Sequence, residues 1–93
     1  MAVQSSGGDV CTVSRGPLTD EEQNALTALG SAVRGMRLAA GMSQEALADA
    51  ARLDRSHMGR IERGQRNLTA ITALRIARVL GIKPSKLFEN AGL

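Results

Sequence analysis

Residues 43–64 read SQEALADAARLDRSHMGRIERG and contain two short helical patterns joined by a tight bend. Ser43 is the predicted N-cap of the first helix, because its hydroxyl can accept a backbone N–H that has no partner inside the helix. Apolar side chains then recur at helical spacing and predict a narrow inward face, made of Ala46, Leu47 and Ala50. Residues 51–53 leave room only for a turn.

The second pattern begins after Asp54, whose carboxylate suits both an N-cap and the positive end of a helix dipole. Met58 and Ile61 are expected to face inward together with Leu53. Gly64 ends the helix, since glycine adopts a positive φ at little cost. The remaining residues are predicted to lie on the outward side: Arg55, Ser56, His57, Gly59, Arg60 and Arg63. An alanine-rich helix packed against a helix with an arginine-rich outer face is the layout of a helix-turn-helix, whose second helix enters the DNA major groove.

Helical periodicity also precedes this stretch. Thr19 and Glu22 have the spacing of a capping box at the start of a long helix. The inward face of that helix is predicted to contain Leu26, Leu29, Val33, Met36 and Ala40. Gly41 ends the helix, and Gly30 leaves open whether segment 20–28 continues it or breaks from it.

Two more helices are predicted downstream. Thr69 is the N-cap of a fourth helix, which Gly81 ends, and Pro84 starts a fifth from its first position. The inward face of the fourth helix is predicted to contain Ile71, Leu74, Ala77 and Leu80. Little core then remains for three apolar side chains at the end of the chain, Leu87, Phe88 and Leu93. These residues either cap the monomer core or lie at a dimer interface.

The composition agrees with an all-α fold. Phe88 is the only aromatic residue, so the core must consist of aliphatic side chains and methionine, which favours close-packed helices over a β-sandwich. Residues 1–17 are rich in serine and glycine and predict a flexible arm, which leaves 18–93 as one compact five-helix domain. No signal-peptide pattern or membrane-length apolar run is present, and Cys11 is the only cysteine. A cytoplasmic setting without an intramolecular disulfide is therefore expected.

The positive charge of the chain is concentrated in one block. The net charge is +3, yet from Arg52 to Arg78 seven arginines stand against two acids, a local charge of +5. Such a block suggests an anionic partner, and a solvated helix face is the alternative. With one histidine, one cysteine and no glycine-rich phosphate loop, the sequence predicts neither an enzyme nor a metal site, and no cofactor.

The same sequence resembles the Cro and phage-repressor helix-turn-helix family, often called XRE-like, with a lambda repressor-like fold. The resemblance spans about residues 29–88. It is carried by Ser43-Gln44, Leu47-Ala48, Leu53, Met58, Ile61-Glu62-Arg63-Gly64, Arg66-Asn67 and Leu74…Ile76-Ala77…Leu80-Gly81. Within the family, the run LDRSHMGRIERGQRN is most similar to restriction-modification controller proteins and other small bacterial repressors.

The resemblance implies a sequence-specific transcriptional regulator that binds a palindromic operator as a homodimer and blocks or assists RNA polymerase. Its base-reading positions correspond to Arg55, Ser56 and Arg60, with His57 as a further base contact. Its phosphate-binding positions correspond to Ser43, Gln44, Arg52, Arg63, Arg66 and Asn67. It also implies a structural ion pair between Arg37 and Glu62, and a dimer interface on the fifth helix with Leu87, Phe88 and Leu93.

Two residues depart from the family pattern. Arg52 stands at the bend where the family usually has glycine, and a positive φ is strained for arginine. Gly59 weakens the second helix by about 1 kcal/mol but would let its backbone approach DNA or a neighbouring helix. A protein-interaction module of the same fold, antitoxin-like or an adaptor, is the alternative function, with segment 20–28 as its docking surface. The outward arginines favour DNA.

Overall fold

The computed structural model describes residues 17–93, and over this range the chain forms five α-helices and no strand. They are α1 (Asp20–Ala39), α2 (Gln44–Ala50), α3 (Arg55–Glu62), α4 (Ala70–Leu80) and α5 (Pro84–Asn90). The predicted all-α, five-helix class is confirmed. The predicted arm lies outside the described residues except for Pro17. None of the helices in residues 17–93 combines the length and hydrophobicity that a membrane crossing requires.

Helix α1 is a single helix of 20 residues that continues through Gly30. The capping box at its start is present, because the Thr19 hydroxyl accepts the Glu22 N–H at 3.1 Å and a Glu22 carboxylate oxygen accepts the Thr19 N–H at 2.9 Å. A Cβ added to Gly30 would overlap the carbonyl oxygen of Ile61 and lie 2.7 Å from that of Glu62. Gly30 therefore allows a close crossing of α1 and α3 and does not break the helix.

The core lies between α1 and the four shorter helices. Its largest fully buried side chains are Val33, Leu47, Met58, Ile61, Ile76 and Leu87. All are aliphatic or methionine, as the near absence of aromatic residues requires, and burying each stabilises the fold by about 1.5–3 kcal/mol. Ala40 was predicted to face inward, but it lies beyond the end of α1 as the C-cap and is exposed.

The inward face of α2 differs from the prediction. Leu47 is buried as expected, but its buried neighbour is Ala48, while Ala46 and Ala50 are exposed. Alanines occur on both sides of this short helix, so apolar periodicity alone does not select one face. The packing of α2 against α3 does.

The inward face of α4 also differs from the prediction. Its buried residues are Thr72, Ala73, Ile76 and Ala77. Ile71 and Leu74, which were predicted to face inward, are exposed. Helix α4 is apolar on most of its circumference, and small alanines rather than Ile71 and Leu74 allow it to pack closely on its neighbours. The Thr72 hydroxyl can be buried because it accepts a hydrogen bond from the Thr69 hydroxyl at 2.9 Å.

The three apolar residues near the C-terminus have different environments. Leu87 is fully buried, so its side chain belongs to the monomer core and is not available to a partner, contrary to its assignment to the dimer interface. Phe88 and Leu93 remain large exposed side chains. Because successive helical residues point in directions about 100° apart, α5 can place Leu87 in the core and Phe88 at the surface.

Candidate nucleic-acid interface

The bend between α2 and α3 has the backbone conformation that glycine usually provides. Arg52 has a φ of 60° and is the only non-glycine residue with a positive φ among residues 17–93. The departure from the family pattern at Arg52 therefore leaves the left-handed bend in place, at a cost of about 1–2 kcal/mol. Its side chain does not join the outer face of α3: it lines a pocket with Ile71, Leu74, Arg75 and Arg78 on α4.

The two caps of this motif behave differently. The Ser43 hydroxyl accepts the Ala46 N–H at 3.0 Å, as expected for an N-cap. Asp54 occupies the N-cap position of α3, but its side chain makes no capping hydrogen bond. The predicted hydrogen-bonding role of Asp54 is therefore wrong, and its favourable charge at the helix start is what remains.

A buried ion pair joins α1 to α3. Arg37 Nε donates to Glu62 Oε2 at 2.7 Å, and a second guanidinium nitrogen donates to Oε1 at 3.1 Å. The third donates to the Met42 carbonyl at 2.8 Å, and Gln44 Nε2 donates to Glu62 Oε1 at 2.9 Å. Glu62 thus ties together the end of α1, the start of α2 and the end of α3. The pair implied by the family resemblance is present, and its charge-assisted bonds offset the cost of burial.

The outer face of α3 presents cationic side chains to solvent. Arg55, Ser56 and Arg60 are exposed, His57 is half-buried, and the only acid of α3, Glu62, is turned inward. Among residues 17–93 the salt bridges are Arg37–Glu62 and Lys86–Glu89. The arginines on the outer face are therefore not neutralised by acids of the described chain.

A cleft of about 270 Å³ opens between the start of α2 and the outer face of α3. It is lined by Gln44, Arg55, Ser56, Gly59 and Arg63. The guanidinium of Arg63 lies over Gly59, where an added Cβ would be only 3.1 Å from one of its nitrogens. Gly59 was predicted to face outward, but it is buried because the Arg63 side chain covers it. It makes room for this arginine side chain and not for a neighbouring helix. The cleft combines two predicted base-reading residues with two predicted phosphate-binding residues.

The remaining predicted phosphate-binding residues lie in the loop after α3. Arg66 and Asn67 are exposed there. Arg63 Nε donates to Gln65 Oε1 at 3.0 Å, which links the end of α3 to this loop. The sequence did not reveal what holds the loop from the other side: Gln23 Nε2 on α1 donates to the Gly64 carbonyl at 2.8 Å. Nothing in the local pattern around Gln23 indicates this contact, which joins residues 41 positions apart.

The comparison with known families identifies this arrangement. A helix-turn-helix family model matches residues 33–87, from the middle of α1 into α5. The chain belongs to the XRE-like helix-turn-helix family. Its members bind DNA and regulate transcription, and this XRE-like protein is a regulator and not an enzyme.

Individual relatives agree with the family assignment. Control protein C.SmaI of Serratia marcescens is 37% identical over 65 residues, which are 70% of this chain and 77% of that protein. The crystal structure of the restriction-modification controller protein C.AhdI from Aeromonas hydrophila is similar at a TM-score of 0.66 and 45% identity, covering 67% of this chain and 94% of that one. The clp gene regulator ClgR from Corynebacterium glutamicum is similar at a TM-score of 0.70 and 25% identity, covering 83% and 92%.

Proposed function

We propose that this XRE-like protein binds a palindromic operator as a homodimer and places α3 of each protomer in a major groove. The observation that carries the proposal is the charge of α3. Its arginines face outward without acidic partners, while Glu62 is buried against Arg37. The outer face of such a helix carries positive guanidinium groups and no carboxylate, so its charge is complementary to the negatively charged groove.

The proposed contacts divide into two groups. Arg55, Ser56 and Arg60 would contact base edges, because arginine can donate two hydrogen bonds to guanine O6 and N7, and His57 would add a base contact beside them. The phosphate contacts flank this face on α2 and in the loop after α3, and they are Ser43, Gln44, Arg63, Arg66 and Asn67. Arg52 is a separate proposed phosphate contact from the bend, since it lies beside α4 and outside the cleft.

The homodimer is proposed to form through α4 and α5. Ile71 is 57% exposed, Leu74 46% and Phe88 42%, and Leu74 adjoins both of the others, so they form one exposed apolar patch of the kind that marks interaction sites. Leu74 and Phe88 line one groove with Pro84. A two-fold axis through this surface would bury it against itself, with Leu93 at its edge and Leu87 holding α5 on the core from beneath. The two reading helices would then reach successive major grooves about 34 Å apart.

The setting follows from this assignment. An operator that overlaps a promoter would make the protein block or assist RNA polymerase. The protein would act in the cytoplasm of a bacterial cell, where that promoter is transcribed. The similarity to controller proteins favours a promoter close to its own gene as the first operator to test.

The test is a fluorescence-anisotropy titration of a labelled duplex from just upstream of the gene, with excess random DNA as competitor. We expect binding that survives the competitor. Arg60→Ala should weaken it by about 1–3 kcal/mol while leaving binding to random DNA nearly unchanged. Arg34→Ala is the matched control, because Arg34 is an exposed arginine on α1 that does not line the cleft.

Two results would contradict the proposal. An equal loss on both duplexes would make Arg60 a phosphate contact without a role in sequence recognition. Binding that the competitor abolishes on every upstream duplex would favour the protein-interaction module instead.

A further inference from the structure

The first half of α1 has no role in the proposed function, yet it packs against the end of α3, the helix proposed to read the DNA bases. The family match begins at residue 33, so the segment from Asp20 to Ala32 lies before it. Three residues of α1 contact either the end of α3 or Gly64 just beyond it: Gln23, Thr27 and Gly30. They are spaced four and three residues apart and therefore share one face of α1.

The contact centres on Gly64, the residue after the C-cap of α3. Gly64 has a φ of 72° and is buried, and its N–H donates to the Ile61 carbonyl at 3.1 Å. Its own carbonyl accepts the 2.8 Å hydrogen bond from Gln23 Nε2. One polar group of Gly64 is thus satisfied by α3 and the other by α1.

The packing around Gly64 leaves no space for movement toward α1. A Cβ added to Gly64 would lie 2.7 Å from the Thr27 hydroxyl oxygen and 2.8 Å from the Thr27 Cα. One turn further along, Gly30 is in similarly close contact with the carbonyls at the end of α3. The backbone of α1 therefore touches the chain on both sides of the point where α3 ends.

The loop that follows Gly64 starts from this fixed point. The Gln65 N–H donates to the Arg60 carbonyl at 2.8 Å. The side-chain oxygen of Gln65 accepts a hydrogen bond from Arg63. Arg66 and Asn67 come next and are exposed. The peptide that leads to these two residues is held on both sides, with its Gly64 carbonyl bonded to Gln23 and its Gln65 N–H bonded to the Arg60 carbonyl.

We infer that Gln23 is a positioning residue for DNA binding, which fixes the loop of Arg66 and Asn67 against the phosphate backbone. The inference rests on the proposed function. Without the Gln23 donor, the Gly64 carbonyl would turn to water for a partner, and the Gly64–Gln65 peptide would be held on its N–H side only, which loosens the start of the loop. The contact then lost is an ionic one to phosphate, which carries no sequence information.

The experiment measures binding of Gln23→Met to a short random-sequence duplex and to the operator over a range of salt concentrations. Methionine keeps the length and the neutral charge of glutamine but has no donor. Asn24→Met is the matched control, because Asn24 is the exposed neighbour on α1 and this change also leaves the net charge unaltered. Circular dichroism and thermal melting establish that each variant is folded.

We expect Gln23→Met to lower affinity by the same factor on both duplexes and to make the log–log salt slope shallower by about 0.9, the value of one phosphate contact. Asn24→Met should leave the slope unchanged. Arg66→Ala should show the same change as Gln23→Met, and combining the two should add nothing further, because both remove one contact. Gln23→Leu removes the donor in the same way and replaces the methionine variant if that protein does not fold.

The outcomes separate this inference from the proposed function. A wild-type slope in Gln23→Met, with or without a lower melting temperature, would show that Gln23 only supports the fold and would overturn the inference alone. Additive effects of Gln23→Met and Arg66→Ala would also overturn it. Wild-type protein that fails to bind either duplex would overturn both.

Discussion

The contact between α1 and α3 and the outer surface of α4 and α5 are packed in opposite ways. Where α1 meets α3, Gly30 and Gly64 bring backbone against backbone, and the Arg37–Glu62 pair is buried with its hydrogen bonds made. On α4 and α5, large apolar side chains such as Leu74 and Phe88 are exposed to solvent. The first region is closely packed within one chain, whereas the second leaves large apolar side chains exposed.

This difference matches the tasks proposed for the two regions. A reading helix must keep its orientation whether or not DNA is bound, and close packing without spare volume provides that. An apolar surface that remains exposed in one chain gains most from burial against a second copy. Substitutions in the two regions should therefore affect different measurements: unfolding of the single chain in one case and association in the other.

The largest effect is expected from Arg37→Ala. It leaves the Glu62 carboxylate buried with only Gln44 as a partner, so the free energy of unfolding should fall by about 3–5 kcal/mol. Urea denaturation followed by circular dichroism measures the change. Arg34→Ala, an exposed arginine on the same helix, should change it by less than about 0.5 kcal/mol. Similar small losses in both variants would show that the buried pair does not hold α3 in place.

A smaller effect is expected from two glycine substitutions in α1, one of which should lower the free energy of unfolding and the other raise it. Gly30→Ala places a methyl group against the Ile61 and Glu62 carbonyls and should reduce the free energy of unfolding by about 1–3 kcal/mol. Gly35→Ala meets nothing within 4 Å and should increase it by about 0.5–1 kcal/mol, because alanine favours a helix. Thermal and urea unfolding of both variants measure the two changes. Stabilisation by both would mean that α1 and α3 are not in close contact.

The smallest effect on the single chain is expected at the exposed apolar surface. Leu74→Ser and Phe88→Ala should each lower the free energy of unfolding of the dilute monomer by only about 1 kcal/mol, because nearly half of each side chain is already exposed. Sedimentation at tens of micromolar should nevertheless show the dimer replaced by monomer, since central apolar residues dominate interface energy. Leu38→Ser is the control, because Leu38 is an exposed leucine on α1. A dimer that survives both changes and dissociates in Leu38→Ser would place the interface elsewhere.

Much of the fold could be predicted because helix ends depend on short-range chemistry. The capping box at Thr19, the left-handed glycines at Gly41, Gly64 and Gly81, and the start of α5 at Pro84 all appear where their residue types predict them. Each depends on hydrogen bonds or φ values within one turn. The exposed arginines of α3 were likewise predicted, because its apolar spacing allows one inward face.

Prediction was less accurate where a helix is apolar on more than one side. On α4, Leu74 and Ala73 are both reasonable core residues, and only the distance to the neighbouring helices selects the smaller one. The Arg37–Glu62 pair came from resemblance to a family, since no local pattern joins residues so far apart. The contact of Gln23 with Gly64 had neither kind of signal.

For residues 17–93, the sequence by itself thus determined the five helices, most of their caps and the charge of α3, because each depends on residues close together in the chain. The tertiary structure alone decided which face of α4 is buried, why Gly30 lies within a helix and how Gln23 reaches Gly64. These depend on how closely two helices approach. That distance follows from the packing of the whole core, and no single segment encodes it.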